Sequence, residues 1–318
     1  MMEMERQATY ERLAQSTPGV ILAVQDTTSF NFAHHPQTTG LGVIEDNHSS
    51  GFFAHSTLAV TGAGVPMGLL DQQVWARQPT SKKEHNAHQK VPITEKESMK
   101  WLKGLNAIQA SPVEMITVCD READIYELFQ EAERTGQGYI VRAVRNRRLE
   151  HGKGLYSTLD QTPIATTYEV RVQRQKAQAA RQAQVGLRYT TVTLLPPKNR
   201  TRATQVIALT TLTVQVVEVV ELNPPSGVSP IHWILLTNVG VENSDQARQV
   251  VRFYTYRWLV ERFHYVLKSG CRFEDSQLKS YDALTRFLGL CSHQAWQILT
   301  IMYQSRQTPD AACDTILS

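Results

Sequence analysis

The chain has 318 residues, 42% of them apolar and 20% charged, a balance ordinary for a globular protein with a sizeable core. No apolar run approaches the ~20 residues of a membrane span. The charged opening MMEMERQATYERLAQ is no secretory leader, and four unpatterned cysteines (Cys119, Cys271, Cys291, Cys313) suit a reducing cytosol and offer no zinc set. The net charge of +3 conceals an asymmetry, because Arg142 to Arg202 holds 13 Lys/Arg against three acids, +10, which leaves −7 for the rest. Such a block is either a solvated loop or a surface for an anionic partner, nucleic acid foremost.

Glu3 to Gln15 reads as a short amphipathic helix stopped by Pro18. VILAV (Val20 to Val24) is an apolar run of strand length and type, consistent with burial on both faces, and it delivers Gln25-Asp26-Thr27-Thr28. Taken alone, Asp26 could be a turn or cap residue. Ala33 to Gly51, which includes His34-His35, reads as a loop. Phe52 to Thr61 and Val65 to Ala76 read as strands around Gly62-Ala63-Gly64, followed by a polar link with His85 and His88. Neither histidine pair has the partners of a closed metal site, so both are read as loop histidines. Thr94-Glu95-Lys96-Glu97 has the capping-box pattern and predicts a helix through Met99, Trp101, Leu102 and Leu105. MITVC (Met115 to Cys119) is a second buried strand ending at Asp120, with a helix over Arg121 to Arg134. Asp120 could simply be that helix's N-cap. Tyr139 to Val144 is a third apolar strand, running into Arg145-Asn146-Arg147-Arg148.

From Leu155 to Leu222 the texture is Thr/Val-rich with partial alternation, which suggests a mostly antiparallel β insertion closed by Asn223-Pro224-Pro225-Ser226-Gly227. Ile231 to Thr237 is a strand bearing Trp233, a residue type that on a strand is most often core. Ser244 to Gly270 is predicted as one helix of about six to seven turns, with Ser244 or Asp245 as N-cap. Leu259, Val260, Phe263, Val266 and Leu267 make its apolar stripe, while Tyr254, Arg257, Glu261 and Lys268 fall within about 60° of arc on the other side. Charges opposite a core face are ordinary, so Arg257 and Lys268 could be solvated salt-bridge partners. A last amphipathic helix runs from about Asp282 to Tyr303.

The spacing Tyr254-(2)-Arg257-(3)-Glu261-(6)-Lys268 resembles the Tyr-Arg-Glu-Lys motif of bacterial DDE transposases of the insertion-sequence-four type. The surrounding YTYRWLVERFHYVLKSG looks particularly like the transposon-five branch, and four fixed positions within fifteen residues make a fairly specific motif. VCDREADIYELF resembles the second-Asp motif of the same family, EKESMKWL before it also matches, and the similarity extends over about Ala14 to Arg306.

The resemblance implies three catalytic, metal-binding carboxylates, Asp26, Asp120 and Glu261, at gaps of 94 and 141 residues, the second long because the insertion lies inside it. The element order is that expected of an α/β, ribonuclease-H-like core, a mixed sheet flanked by helices, with an inserted, mostly antiparallel β subdomain. Residues 1–150 would be the first part of the core, 151–229 the insertion, and 230–318 the last strand, the catalytic helix and the C-terminal helix. Clustered carboxylates repel one another unless cations bind between them, and hard divalent ions are the natural solution: Mg²⁺, with Mn²⁺ as substitute, as a pair for in-line phosphoryl displacement.

By the same resemblance Tyr254, Arg257 and Lys268 hold DNA phosphates, and Trp233 stacks on a flipped base near the cut, which permits a hairpin. Arg142, Arg145, Arg147, Arg148, Arg121 and Trp258 complete the expected DNA-binding set. The expected protein is a cut-and-paste transposase core that nicks double-stranded DNA at transposon ends and joins 3′-OH ends to target DNA. It would be a homodimer in the DNA complex, or paired with a full-length transposase, at the nucleoid of a bacterial cytoplasm. The family's proteins are longer, so the chain is expected to lack the N-terminal end-recognition domain and the C-terminal dimerisation region. Two alternatives stand beside this: a shortened, non-transposing product that inhibits or partners a full-length transposase, and another ribonuclease-H-like nuclease.

Overall fold

The computed structural model of the chain describes residues 2–15, 19–44, 49–78, 93–172, 180–198 and 208–310; His85 and His88 lie outside them. The strands are β1 (Ile21–Asn31), β2 (Gly42–Ile44), β3 (Ser49–Thr61), β4 (Pro66–Trp75), β5 (Met115–Cys119), β6 (Gly138–Arg142), β7 (Thr166–Val172), β8 (Arg181–Leu194), β9 (Leu212–Glu221) and β10 (His232–Thr237). The α-helices are α1 (Met2–Gln15), α2 (Met99–Ala107), α3 (Tyr126–Thr135), α4 (Leu155–Gln161), α5 (Ser244–Thr255), α6 (Trp258–Tyr265) and α7 (Tyr281–Gln307). They fall into two compact units, residues 1–118 with 256–318, and residues 119–255.

In the first unit β1 is the central strand. It pairs antiparallel with β3 along its whole length, from Ile21 opposite Thr61 to Asn31 opposite Gly51, and parallel with β5, from Ile21 opposite Met115 to Val24 opposite Val118. The far edge of β3 carries β2 and then β4. A continuous apolar run suits a strand covered on both faces, and Ile21 to Gln25 are fully buried. Leu13 and Tyr10 of α1 close one part of this core over Ile21, Ala23, Ala59, Leu70 and Met115. From α7, Trp296 Nε1 donates to the Pro66 carbonyl of β4. At the other end of β1 an aromatic cluster of Phe30, Phe32, Phe52 and Phe273 seats the turn after α6. The segment read as a loop, 33–51, in fact contains β2 and the first residues of β3.

The capping box is not used. Thr94 lies in a 3₁₀ turn, Ile93–Glu95, and α2 begins at Met99 after Ser98. Glu97 accepts instead from Arg77 Nε and Nη2, each at 2.6 Å, and from Trp75 Nε1. A two-pronged tertiary partner outcompetes the single backbone N–H that a capping glutamate would take.

The second unit holds a sheet in the order β6-β10-β9-β8-β7, antiparallel throughout. Its Thr/Val-rich strands agree with the antiparallel texture expected of Leu155 to Leu222. Buried carboxylates are paired across strands, Glu221 with Arg181, and Glu218 with Arg188 and His232. The helix expected over Arg121 to Arg134 is a 3₁₀ turn, Arg121–Ala123, followed by α3. The helix expected from Ser244 to Gly270 is likewise three segments: α5, α6 and a π-helical turn, Val266–Gly270. The N-cap is Asn243, whose Oδ1 accepts from the backbone N–H of Asp245 and Gln246, rather than Ser244 or Asp245. Between α5 and α6 the Leu259 N–H donates only three residues back, to Tyr256. The Tyr256 ring lies against Gly64 in the β3–β4 turn, where a Cβ would come within 2.6 Å of it. One unbroken helical phase from Tyr254 to Lys268 therefore does not exist.

Candidate active site

The strand read as Val20 to Val24 runs on to Asn31, so Asp26 lies within β1, opposite Ser56 of β3, at the point where the strand's full burial stops. The five residues before it are fully buried, while its own side chain is 18% exposed. Its neighbours are locked. The Gln25 amide Oε1 is 3.0 Å from His55 Nε2, and His55 Nδ1 is 2.9 Å from Thr27 Oγ1. Gly104 of α2 lets the helix sit directly on Gln25, since a Cβ there would lie 2.5 Å from Gln25 Oε1. Burial, reinforced by the Lys100 charge, pushes His55 well below its ordinary value, so its imidazole is neutral.

Across from Asp26 stands His264 of α6. Its Nδ1 is 3.9 Å from Asp26 Oδ2 and its Nε2 is 3.2 Å from Ser56 Oγ. Burial, followed by the Lys268 charge, pushes His264 down to about 3, so this imidazole is neutral too. Leu259, Val260 and Phe263 anchor α6 in the core. One turn before His264, Glu261 is half exposed and pairs with Arg257 at 2.5 Å. Lys268 lies in the π-helical turn, which is closed by Cys271 N–H donating to the Val266 carbonyl, and its Nζ stands 5.8 Å from the centre of the Phe30 ring. π-Bulges of this kind concentrate at functional sites.

Asp120 follows β5, and its Oδ1 accepts from Glu122 N–H at 2.9 Å, so it caps the 3₁₀ turn and not the helix α3. The parallel register sets Val24 opposite Val118. Asp26 and Asp120 each come two residues after that rung. Among the described residues no group of three His, Cys, Asp or Glu side chains is gathered to hold a metal ion. The three acids would offer hard carboxylate oxygens, the donor type that suits divalent metal ions.

The expected DNA-binding residues divide. Arg121, Arg145 and Trp258 are exposed. Arg142 and Arg148 are partly exposed, and each donates to a backbone carbonyl, of His232 and Pro196 respectively. Tyr254 is 4% exposed, and its ring meets the partly exposed Trp233 edge-on at 5.2 Å. Arg147 is a correction. Its side chain is only 7% exposed, and its guanidinium is committed to the Asp124 carboxylate and carbonyl and lies over Phe129 and Tyr126. A cation held in that way is a structural ion pair and leaves the phosphate-binding set. His264 was not singled out from the sequence, although the signal was present: it lies three residues after Glu261, on the face shared with Arg257.

A mixed sheet flanked by helices, with an acid midway along its central strand and another after the parallel neighbour, is a ribonuclease-H-like architecture of the kind that carries phosphoryl transfer on nucleic acids. The chain belongs to the family of the transposase DDE domain, whose model matches residues 101–294, more than half of its length. The matched segment contains Asp120, Trp233, Tyr254, Arg257, Glu261 and Lys268 and begins downstream of Asp26. The chain is thus a transposase catalytic domain, of a class that binds and recombines DNA and works with divalent metal ions. No helix among the described residues is long and apolar enough to cross a membrane.

Proposed function

We propose that this chain is the core of a transposon-five-like transposase of the Tyr-Arg-Glu-Lys type. In this reading it nicks double-stranded DNA at transposon ends and joins the freed 3′-OH to target DNA, with Asp26, Asp120 and Glu261 as its metal-binding carboxylates. The observation that carries the reading is the approach of His264 to Asp26, which brings the turn of α6 bearing Glu261 beside the middle of β1. Asp120, the other aspartate of the reading, directly follows β5, the parallel neighbour of β1.

A pair of Mg²⁺ ions, or Mn²⁺ in their place, would supply charge neutralisation and an activated oxygen nucleophile at this site. Glu261 has to exchange Arg257 for that role. Exposed ion pairs are worth about 0–1 kcal/mol, so the exchange is cheap, and it frees a two-pronged donor for a DNA phosphate. Lys268 adds a point charge. Trp233 is the stacking platform for a flipped base, as hairpin formation requires, with the Tyr254 ring behind it. Arg121, Arg142, Arg145, Arg148 and Trp258 add DNA affinity, salt-sensitive where arginine meets phosphate. Residues 151–229 are the insertion within the core, and the chain works as a homodimer on DNA, at the nucleoid of a bacterial cytoplasm.

The test is metal-dependent nicking and strand transfer on DNA carrying transposon ends, with Glu261→Ala as the variant. Loss of cleavage with the circular dichroism spectrum and DNA affinity retained is the expected result. Retained cutting would remove Glu261 from the site, and cutting without any end preference or joining would favour a plain nuclease.

A further inference from the structure

α6 presents an otherwise apolar buried side, Leu259, Val260 and Phe263, yet among them it buries one imidazole, His264, 5% exposed. That imidazole is the end of a chain of buried and partly buried side chains drawn from four elements. Ser292 Oγ of α7 donates to Gln72 Oε1 of β4 at 3.1 Å, and Gln72 Nε2 donates to Ser56 Oγ of β3 at 3.2 Å. Ser56 Oγ is in turn 3.2 Å from His264 Nε2. The chain permits one tautomer, and the carboxylate opposite Nδ1 favours it. The Gln72 amide occupies one lone pair of Ser56 and leaves its hydroxyl proton available to His264 Nε2. A neutral imidazole that accepts at Nε2 carries its hydrogen on Nδ1. Nδ1 is the atom that faces Asp26 Oδ2 at 3.9 Å. That separation is too long for a hydrogen bond, so the N–H acts as a dipole aimed at the carboxylate.

We infer that His264 is a positioning residue for Asp26: the Ser292–Gln72–Ser56 relay holds its N–H toward the carboxylate and selects the rotamer in which Asp26 serves as a ligand. The inference rests on the proposed ligand role of Asp26. Partners of this kind, one step removed from the ion, are worth about 10–100-fold in metal affinity or activity.

Two near-isosteric variants separate this role from that of a merely satisfied core histidine. The amide of His264→Asn sits near the place of Nδ1, facing Asp26, and gives up Ser56. The amide of His264→Gln reaches the place of Nε2, keeps Ser56, and gives up Asp26. The readout is Mn²⁺ binding to the purified chain, followed by electron paramagnetic resonance, beside the melting temperature and the Mn²⁺ dependence of nicking. A positioning role predicts that His264→Asn keeps Mn²⁺ affinity near that of the parent, while His264→Gln weakens it by about 10–100-fold even where it melts at the higher temperature. The opposite ranking, or Mn²⁺ affinities that follow melting temperature, overturns the inference. If neither variant folds, Ser56→Ala carries the test, since it leaves His264 in place without the hydroxyl that holds its Nε2. Weakened Mn²⁺ binding there supports the role and unchanged binding overturns it. Asp26→Asn separates the two layers of argument: if it leaves Mn²⁺ binding intact, the ligand reading itself falls and the inference with it. If Asp26→Asn weakens binding but neither His264→Gln nor Ser56→Ala does, only the inference falls.

Discussion

Replacing Arg147 with leucine should destabilise the fold and leave DNA binding nearly untouched. The Arg147 Nε and Nη2 donate to the Asp124 carboxylate, and Nη2 also reaches the Asp124 carbonyl, while the second Asp124 oxygen accepts from the backbone N–H of Val144 and Arg145. Asp124 is 1% exposed. Arg147→Leu would leave this carboxylate buried with two backbone donors and no counter-charge. Breaking a buried pair from one side costs about 3–5 kcal/mol. At about 2–4 °C per kcal/mol for a domain of 150–250 residues, melting should fall by about 6–20 °C. Adding Asp124→Asn should recover part of the loss, because an amide oxygen still accepts from the backbone and no charge is left buried. The paired measurement is DNA affinity against salt concentration. An exposed phosphate contact such as Arg145 should lower the salt slope by about 1 on removal, whereas Arg147→Leu should not change it. An Arg147→Leu protein that melts like its parent but loses salt-dependent affinity would refute the structural assignment and return Arg147 to the DNA.

Arg257→Ala should change stability by less than about 1 kcal/mol, because its partner Glu261 is half exposed, while the salt slope of DNA binding falls by about 1; an unchanged slope would count against a phosphate contact. Gly104→Ala should cost about 1–3 kcal/mol in chemical denaturation, because the new methyl meets the immobile Gln25 amide. Trp233→Ala should abolish the fluorescence rise of 2-aminopurine placed beside the cut, with the loss of about 1–3 kcal/mol of stacking, and an undiminished signal would exclude Trp233 as the platform. Acid should unfold the protein early. His55 is neutral when folded and takes a proton at its ordinary value of 6.5 when unfolded. The unfolded state therefore binds the extra proton, and stability is lost as pH falls below 6.5, by about 1.4 kcal/mol per pH unit for this one group. Denaturant titrations from pH 7 to pH 4 measure the slope, and a flat profile would show that His55 is protonated in the folded chain.

Much of the fold was legible in the residues because burial leaves a local signature. VILAV and MITVC are continuous apolar runs, each lies in a β-strand, and each is followed within two residues by an aspartate, although β1 itself runs on through Asp26 to Asn31. The alternating, Thr/Val-rich runs after Leu155 mark strands of an antiparallel sheet for the same reason. Helix boundaries were less legible, since the same residues satisfy a helical period whether or not the ladder is interrupted. The join before α6 depends on Tyr256 finding Gly64 nearly two hundred residues upstream. Likewise Glu97 has the spacing of a capping residue and leaves it for Arg77.

By itself the sequence determined most of the strands and helices, which acids follow apolar runs, and that the Tyr-Arg-Glu-Lys spacing points to DNA, because propensity, periodicity and spacing are properties of neighbours along the chain. Only the tertiary structure decided how each polar group is used. Arg147 and Arg145 are both cations in one short basic run, yet the first faces a buried carboxylate 23 residues away and the second faces water. His264 is likewise one histidine among ten until Ser56 and Asp26 are brought against its two nitrogens. A side chain's electrostatic role follows from what surrounds it once water is excluded, and those surroundings come from strands and helices distant in the chain.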